Sequence, residues 1–265
     1  MPPIASSGDA AIHLRDVRKS FGGSAAVDGV SLEIGRGEFV ALVGRSGSGK
    51  TTALKIVHRL VEPDSGVLRV LGRHASEEPA HLWRRRIGYV LQEVGLFPHM
   101  SVAENIGVTP GLLGWPKDEI AARTAELLSL VGLDPGYAAR QPDQLSGGQR
   151  QRVGVARALA ARPAILLMDE PFGALDPETR EDLGRHCREL HDALGLTTVM
   201  VTHDMQEALL LADRLVVMGS GRILADSTPA ALMAGHADPE VAALMASPRR
   251  QAERLRVLLE AGGRG

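Results

Sequence analysis

The sequence predicts an α/β domain, in which short buried strands alternate with helices. Two apolar runs have the length of strands, residues 39–43 and 165–168. The first leads directly into a glycine-rich segment and the second into a polar segment, and both kinds of segment are typical of functional sites. A glycine-rich turn at residues 44–51 lies between the first of these strands and a helical pattern. The strand pattern stops from residue 93 to about residue 140, which indicates a helical lobe inserted into the α/β domain.

The composition is that of an ordinary globular chain without a strong overall charge. Of the 265 residues, 44% are hydrophobic and 23% are charged, and the formal net charge is -2. Because the chain has no net positive charge that would attract nucleic acid, we predict no nucleic-acid partner. The single cysteine, Cys187, lies in a helical stretch and cannot form an internal disulfide, which fits a reducing cytoplasm.

The hydropathy of the chain bears on its relation to a membrane. Residues 1–10 lack the basic and apolar segments of a signal peptide, and we expect them to form a loose tail. No window approaches 18 uninterrupted apolar residues, so the chain is not expected to span a bilayer itself. If the protein works at a membrane, a partner is expected to span it.

The turn at residues 44–51 fits the phosphate-binding P-loop pattern G-x-x-x-x-G-K-[ST], with the strand before it and the helix after it that the motif requires. Its backbone N–H groups and the start of the next helix can surround phosphate oxygens. Lys50, expected to be an exposed phosphate ligand, can reach the β- and γ-phosphates of ATP, and Thr51 can ligate Mg²⁺. A glycine-rich turn that binds nothing is disfavoured, because all the fixed positions match. The predicted ATP-binding residues here are Gly44, Arg45, Ser46, Gly47, Ser48, Gly49, Lys50, Thr51 and Thr52.

Two strands are predicted ahead of the P-loop, at residues 12–21 and 30–34, and their alternating apolar residues favour antiparallel pairing. Phe21 ends the first strand in a chain with only 3% aromatic residues. Since a base stacked on an aromatic ring gains about 1–3 kcal/mol, Phe21 is a candidate platform for a purine ring. For this residue alone, a phenylalanine buried in the core is an equally good interpretation.

The helical lobe is preceded by a strand and a loop that each suggest a contact. The strand at residues 87–91 leads to Gln92, whose amide oxygen can ligate Mg²⁺ or hold a water molecule. Residues 95–100 present apolar side chains around Pro98, which prevents regular structure, and we expect this loop to dock a partner. An amphipathic helix is predicted over residues 116–132.

Residues 145–149, Leu-Ser-Gly-Gly-Gln, come before a predicted helix at residues 150–161. Ser146 can cap this helix, and the two following glycines leave backbone N–H groups open to an anion. Read alone, the segment is equally compatible with a simple capped helix. Because a nucleotide has one γ-phosphate, two anion-suited helix starts on one chain suggest that two chains share each nucleotide. The residues expected to contact it from this segment are Ser146, Gly147, Gly148 and Gln149.

Polar residues also follow two later strands. Asp169 and Glu170 come directly after residues 165–168, and Asp169 fits the acid that holds Mg²⁺ through water. Glu170 fits the base that activates the attacking water. His203 follows a strand at residues 198–202, at the kind of edge where α/β sheets bind ligands, although a lone histidine is usually structural.

A helix start and a hairpin complete the pattern. Asp176 followed by Pro177 has the cap and the first-turn proline of a helix that is expected to end at Gly195. Strands at residues 214–218 and 223–225, joined by Gly-Ser-Gly-Arg, predict a hairpin.

With these motifs in this order, the chain resembles the ATPase subunit of ABC transporters over about residues 12–245. The resemblance implies an ABC-type P-loop NTPase fold with a RecA-like core, an antiparallel β-subdomain and an inserted helical subdomain at about residues 93–162. It implies that Phe21 stacks on adenine and that Asp176 contacts nucleotide. The implied catalytic residues are Gln92, Glu170 and His203, and the implied Mg²⁺ ligands are Thr51, Gln92 and Asp169.

The chain departs from that family's pattern at two positions. Phe21 stands where tyrosine is commoner, and Gly173 replaces a frequent serine. Neither departure removes a charge or a ligand.

Within the family, residues 87–100, 151–155 and 248–251 are similar to bacterial osmoprotectant importers of the glycine betaine, carnitine and choline group. This similarity implies a homodimer that binds integral membrane permease subunits and, through them, a periplasmic or extracellular substrate-binding protein. The implied location is peripheral, on the cytoplasmic face of the bacterial inner membrane. We expect an ATPase domain at residues 11–245 and a short helical tail at 246–265, without a CBS or OB regulatory domain.

The sequence bears on three alternatives to this interpretation. The solute could be another small polar molecule, such as an amino acid, a sulfonate or a polyamine. A non-transport ABC protein that remodels nucleic acid or ribosomes usually has two fused cassettes or a long coiled coil, and this sequence shows neither. A P-loop kinase would leave residues 145–149 unexplained.

Overall fold

The computed structural model describes residues 10–262, with side chains up to residue 258. The strands are β1 (Ala10–Phe21), β2 (Ser24–Gly35), β3 (Phe39–Val43), β4 (Ser65–Val70), β5 (Arg73–His74), β6 (Ile87–Val90), β7 (Ile165–Asp169), β8 (Thr197–Val201), β9 (Arg214–Gly219) and β10 (Arg222–Ser227). The helices are α1 (Lys50–Val57), α2 (Ala80–Arg84), α3 (Val102–Leu112), α4 (Lys117–Leu130), α5 (Gly147–Leu159), α6 (Pro177–Leu194), α7 (Met205–Leu211), α8 (Pro229–Ala234) and α9 (Pro239–Gly262). The predicted α/β class is confirmed.

A six-stranded sheet carries the site. Its strand order is β10-β9-β3-β8-β7-β6. Strands β9, β3, β8, β7 and β6 pair in parallel, whereas β10 pairs antiparallel with β9, as the predicted hairpin requires. Because parallel strands present their carboxyl ends at one edge, the loops after β3, β8, β7 and β6 meet there although they are distant in sequence.

Both faces of this sheet are buried, which explains why its strands read as continuous apolar runs. All of β3 is buried, and its alternate side chains enter two different core clusters. Phe39 packs with the helices α3 to α6 on one face. Val40 packs on the other face with α1 and the second sheet. The P-loop strand is thus fixed from both sides.

The second sheet is four-stranded and antiparallel, with the order β2-β1-β4-β5. The predicted pairing of the first two strands is confirmed, but β2 begins at Ser24, well before the predicted start at residue 30. Register shifts along the β1–β2 ladder break the strict alternation on which the prediction relied.

The inserted segment is helical, as predicted, and residues 93–162 contain α3, α4 and α5. Helix α4 follows Pro116 and buries Thr124, Leu127 and Leu128, in agreement with the predicted apolar face. Helix α3 was not predicted as a separate element, because its glycines and Pro110 obscure the helical pattern. Its start signal was nevertheless present, since Ser101 forms a capping box.

Both ends of the chain were expected to lie outside the ATPase domain at residues 11–245. The expected loose tail at residues 1–10 lies outside the described residues, apart from Ala10, which begins β1. Helix α9 runs through the expected boundary at residue 245. Within residues 10–262, no helix is long and apolar enough to cross a membrane.

Candidate functional site

The P-loop and the residues predicted to be catalytic or to hold Mg²⁺ lie together at the carboxyl edge of the six-stranded sheet. The P-loop follows β3, His203 lies just beyond β8, Asp169 and Glu170 stand at the end of β7, and Gln92 lies just beyond β6. These four strands are consecutive in the sheet order. The sheet therefore brings together side chains from four separate segments of the chain.

The P-loop backbone takes a course that only glycine permits at two positions. Gly44 has φ 146°, and a Cβ there would lie 2.1 Å from the carbonyl oxygen of Met218. Gly49 has φ 99°, and a Cβ there would lie 2.2 Å from the carbonyl oxygen of Ala26. Because both obstacles are backbone atoms, a larger residue at either position would force the loop out of shape.

The first turn of α1 is suited to an anion because no side chain caps it. Gly49 is the N-cap residue and provides no side-chain hydrogen bond. By contrast, Ser146 caps α5 and Asp176 caps α6 with their own oxygens. Since the first N–H groups of a helix have no partner inside the helix, those of α1 are oriented to bind phosphate oxygens.

Lys50 is buried, so the expectation that its side chain is exposed was wrong. It is only 5% exposed, and its ammonium group points back into the P-loop. The ammonium donates to the carbonyl oxygens of Gly44 and Arg45, both at 2.9 Å, and to the hydroxyl of Ser48 at 3.3 Å. Burial lowers the pKa of Lys50, and the two carboxylates at the end of β7 act in the opposite direction. The motif gives this residue's position but not the direction of its side chain.

Asp169 is held from two sides. The hydroxyl of Thr51 donates to its Oδ1 at 2.9 Å, and the hydroxyl of Tyr89 donates to its Oδ2 at 3.3 Å. Asp169 itself is 4% exposed. Burial, followed by the charge of Asp169, raises the pKa of Tyr89, so this phenol stays protonated and remains a donor.

Glu170 lies next to the other two predicted catalytic side chains. Its Oε2 accepts a hydrogen bond from Nε2 of Gln92 at 3.1 Å and lies 3.3 Å from Nδ1 of His203. The backbone of Glu170 has φ 44°, which costs a residue with a Cβ about 1–2 kcal/mol. Its N–H donates to the carbonyl oxygen of Val201 at 2.9 Å, which helps to hold this conformation. Such local strain is common where a side chain must be aimed at a reaction centre.

The side-chain oxygen atoms beside the P-loop fit a magnesium ion that is bound together with a nucleotide. Thr51 and Asp169 offer a hydroxyl and a carboxylate oxygen 2.9 Å apart beside the P-loop, and Mg²⁺ prefers oxygen ligands. Magnesium also commonly binds through one or two carboxylates together with substrate phosphates. Gln92 contacts Glu170 instead of this pair, so its predicted role as a metal ligand stays a prediction.

The segment at residues 145–149 does not join the P-loop within one chain. Ser146 and Gln149 form a capping box at the start of α5, and Nε2 of Gln149 donates to the hydroxyl of Tyr137 at 3.2 Å. Asp176 accepts from the N–H of Thr179 at 3.0 Å, a bond that lowers the pKa of Asp176. Across residues 10–262, no hydrogen bond or ion pair links residues 146–149 or Asp176 to residues 44–52.

Phe21 is exposed rather than part of the core. Its exposed fraction is 51%, and the ammonium of Lys19 lies 5.4 Å from the centre of its ring. The alternative of a core phenylalanine is therefore wrong, whereas stacking on a purine stays a prediction.

The predicted docking loop, residues 95–100, is fixed from within. The buried side chain of Asn105 accepts from the N–H of Phe97 and donates to the carbonyl oxygens of Phe97 and Met100. The guanidinium of Arg157 donates to the carbonyl oxygens of Val94 and Gly95. The ring of Phe97 is 41% exposed. The loop thus presents an apolar side chain on a backbone that is held in place.

Two residues next to the site were missed by sequence reasoning. Tyr89 contacts Asp169, and His58 stacks on Tyr89 with ring centres 4.7 Å apart. A usable signal existed for Tyr89, because a polar aromatic residue stands in an apolar strand three positions before Gln92. His58 offered no such signal.

Comparisons with known proteins bear on this site. A family model described as ABC transporter matches residues 27–173. The choline transport ATP-binding protein OpuBA of Bacillus subtilis strain 168 is 48% identical over 226 residues, which cover 85% of this chain and 59% of that protein. The glycine betaine/carnitine/choline transport ATP-binding protein OpuCA of the same organism is 49% identical over 219 residues, which cover 82% and 58%.

A relative with a different solute is equally similar. The sulfate/thiosulfate import ATP-binding protein CysA of Xylella fastidiosa strain 9a5c is 51% identical over 223 residues, which cover 83% of this chain and 63% of that protein. This chain therefore spans about three fifths of the length of these curated relatives.

Among solved structures, similar chains include the ATP-binding cassette MJ0796, in a dimeric post-hydrolysis state bound to ADP and Pi. The TM-score is 0.75 at 33% identity, over 82% of this chain and 98% of that chain.

Proposed function

We propose that this chain, which belongs to the ABC transporter family, hydrolyses ATP to drive the import of a small solute. The observation that carries the proposal is the meeting of the P-loop, Asp169 and Glu170 at one sheet edge. A phosphate cradle, a metal carboxylate and a nearby base are the parts that hydrolysis of a nucleoside triphosphate requires.

Each side chain takes a role that its contacts support. The P-loop N–H groups and Lys50 would bind the phosphates, and Thr51 and Asp169 would hold Mg²⁺, which would supply positive charge to offset that of the phosphate oxygens. Glu170 accepts the proton of the attacking water. Gln92 and His203 both contact Oε2 of Glu170 and so orient this carboxylate.

The complete nucleotide site is proposed to need two copies of the chain. Among the described residues, no hydrogen bond or ion pair joins residues 146–149 or Asp176 to their own P-loop, although the uncapped N–H groups at the start of α1 suit an anion. In a head-to-tail homodimer, these residues would face the nucleotide on the P-loop of the second copy. The dimeric state of MJ0796 supports this arrangement.

The proposed partners are integral membrane permease subunits and, through them, a periplasmic or extracellular substrate-binding protein. The names of OpuBA and OpuCA, which are transport ATP-binding proteins, support this assignment. The docking loop at residues 95–100 would contact the permease, and this contact would hold the chain at the cytoplasmic face of the bacterial inner membrane. Gln92 lies three residues before this loop and would connect the contact to Glu170.

The proposed solute is a quaternary-amine osmoprotectant such as glycine betaine, choline or carnitine. The similarity to OpuBA and OpuCA supports it, together with the residues around the docking loop. The second candidate is an oxyanion such as sulfate, because CysA is 51% identical. Sequence identity does not separate the two, since the ATPase does not bind the solute in an ABC importer.

The test is reconstitution of this chain with its permease and binding protein in proteoliposomes. ATPase stimulation is measured across glycine betaine, choline, carnitine, sulfate, amino acids and sulfonates. We expect stimulation by a quaternary amine and a fall in hydrolysis of at least about a hundredfold in Glu170→Gln. Stimulation by sulfate, an amino acid or a sulfonate, and by no quaternary amine, would refute the solute assignment and leave the ATPase assignment standing.

A further inference from the structure

Tyr89 has no part in the function proposed above, yet its hydroxyl contacts the carboxylate assigned to magnesium. We propose that Tyr89 is a positioning residue, which holds Asp169 in the orientation that binds the metal. This inference rests on the proposed function, because it concerns the metal that ATP hydrolysis requires.

The two oxygens of the Asp169 carboxylate are each held by one hydroxyl from a different element. Thr51, on α1, donates to Oδ1 at 2.9 Å, and Tyr89, on β6, donates to Oδ2 at 3.3 Å. Two donors on opposite oxygens restrict rotation of the carboxylate about its Cβ–Cγ bond. A metal-binding carboxylate held in this way needs less reordering when the ion arrives.

Tyr89 is itself held in place by the helix that carries Thr51. Its ring stacks on His58 with centres 4.7 Å apart and planes at 30°. His58 is 8% exposed and is the C-cap residue of α1, whose first turn contains Thr51. Contacts therefore run in a closed circle from α1 through Thr51, Asp169, Tyr89 and His58 back to α1.

The register of the sheet places Tyr89 on the correct face. Tyr89 pairs with Leu167, which lies two residues before Asp169 on β7. Side chains two residues apart on a strand point to the same face, so Tyr89 and Asp169 share the face that α1 covers. Three residues beyond Tyr89, Gln92 contacts Glu170. Strand β6 and the residues just after it thus contact both carboxylates: Tyr89 bonds to Asp169, and Gln92 bonds to Glu170.

The test removes only the hydroxyl, with Tyr89→Phe in a Glu170→Gln background that retains ATP. Binding of Mn²⁺, a magnetic probe for the magnesium site, is measured by electron paramagnetic resonance in the presence of ATP. We expect Mn²⁺ affinity to fall about tenfold, the usual effect of removing the partner of a metal ligand. Affinity for ATP without metal should stay within twofold of the parent.

A second readout uses hydrolysis by chains with Glu170 intact. In Tyr89→Phe, the Mg²⁺ concentration for half-maximal ATPase should rise by a similar factor, whereas kcat at saturating Mg²⁺ stays near that of the parent. Thr198→Val is the control, because it removes another buried hydroxyl on the same sheet, one bonded to His191. It is expected to leave the metal dependence unchanged.

Tyr89→Leu distinguishes the ring from the hydroxyl. If Tyr89→Phe binds Mn²⁺ as the parent does and only Tyr89→Leu is impaired, packing of the ring is what matters and the inference is refuted. Failure of the Glu170→Gln parent to bind Mn²⁺ with ATP would refute the proposed function and this inference together. Unchanged binding in Tyr89→Phe would refute this inference alone.

Discussion

The ammonium group of Lys50 lies inside the P-loop, bonded to two carbonyl oxygens and one hydroxyl of the loop itself. Such a group can bind phosphate only by exchanging some of these oxygens for those of the nucleotide. The side chain therefore contributes both to the shape of the loop and to the charge that the phosphates meet.

Lys50→Ala is expected to weaken ATP binding by at least about a hundredfold. The change removes charge-assisted hydrogen bonds to two phosphates, each worth about 1.5–3 kcal/mol. Titration with a fluorescent nucleotide measures the effect. Lys55→Ala, in the last turn of the same helix, is the control and should bind normally. Affinity of Lys50→Ala within a few-fold of the parent would remove this lysine from the site.

His58 predicts a loss of stability in mild acid. Burial, followed by the charge of Arg84, lowers the pKa of His58 from 6.5 to about 4. The unfolded chain therefore takes up a proton near pH 6.5, but the folded chain does so only near pH 4. As far as His58 is concerned, the free energy of unfolding is therefore highest above pH 6.5, and it decreases as the pH falls from there towards 4.

At pH 5 this group should lower the free energy of unfolding by about 2 kcal/mol relative to pH 7. His58→Phe keeps an aromatic ring against Tyr89 but cannot take up a proton. Urea unfolding at both pH values should show a smaller acid loss in His58→Phe than in the parent. An equal loss in the two proteins would mean that His58 does not titrate as the structure indicates.

At the scale of elements, the docking loop combines a fixed backbone with an exposed phenylalanine. Asn105 and Arg157 bond its backbone from inside the helical lobe. A charge on Phe97 should therefore disturb a partner more than the fold. The loop itself is expected to keep its course.

Phe97→Glu is expected to abolish transport in proteoliposomes while basal ATPase of the isolated chain stays near that of the parent. Leu194→Glu is the matched control, since both side chains are 41% exposed and Leu194 lies at the end of α6, outside the docking loop. That control should transport normally. Loss of basal ATPase together with transport in Phe97→Glu would instead indicate a role of this residue in folding.

Elements with a strong local signal were predicted from the sequence, and those that depend on tertiary contacts were not. Strand β3 matched its predicted limits, and α6 began after Asp176 and ended at Gly195, because an apolar run and paired cap residues are local features. Helix α3 was missed because Pro110 and nearby glycines weaken its pattern. Packing against α4 and α5 stabilises it despite this composition.

The same distinction applies to the site. The motif residues could be placed at one edge, because parallel strands align their carboxyl ends. Their individual contacts could not be predicted: the burial of Lys50, the contact of Gln92 with Glu170 and the hydrogen bond of Tyr89 all depend on side-chain directions. Sequence spacing contains no information about those directions.

At the scale of the whole molecule, no hydrogen bond or ion pair among residues 10–262 joins the two halves of the proposed nucleotide site. The P-loop faces the sheet edge, while the segment at residues 145–149 caps α5 and contacts Tyr137. The central claim is that two chains complete each site. ATP should therefore control association of the chain, and hydrolysis should reverse it.

Glu170→Gln retains the shape of the site but removes the carboxylate proposed as the base, and a general base typically contributes about 10²–10⁴ in rate. Bound ATP should then persist and hold two copies together. Ser146→Arg in the same background should prevent association, because a bulky side chain would obstruct the start of α5 where the second copy's nucleotide would lie.

The most direct test is the molar mass of Glu170→Gln by light scattering during gel filtration, with and without saturating Mg-ATP. The mass is predicted to rise from 28.2 kDa for the single chain to twice that value on addition of Mg-ATP, and to return when the nucleotide is removed. A Glu170→Gln protein that binds Mg-ATP yet keeps the mass of one chain would contradict the shared-site account.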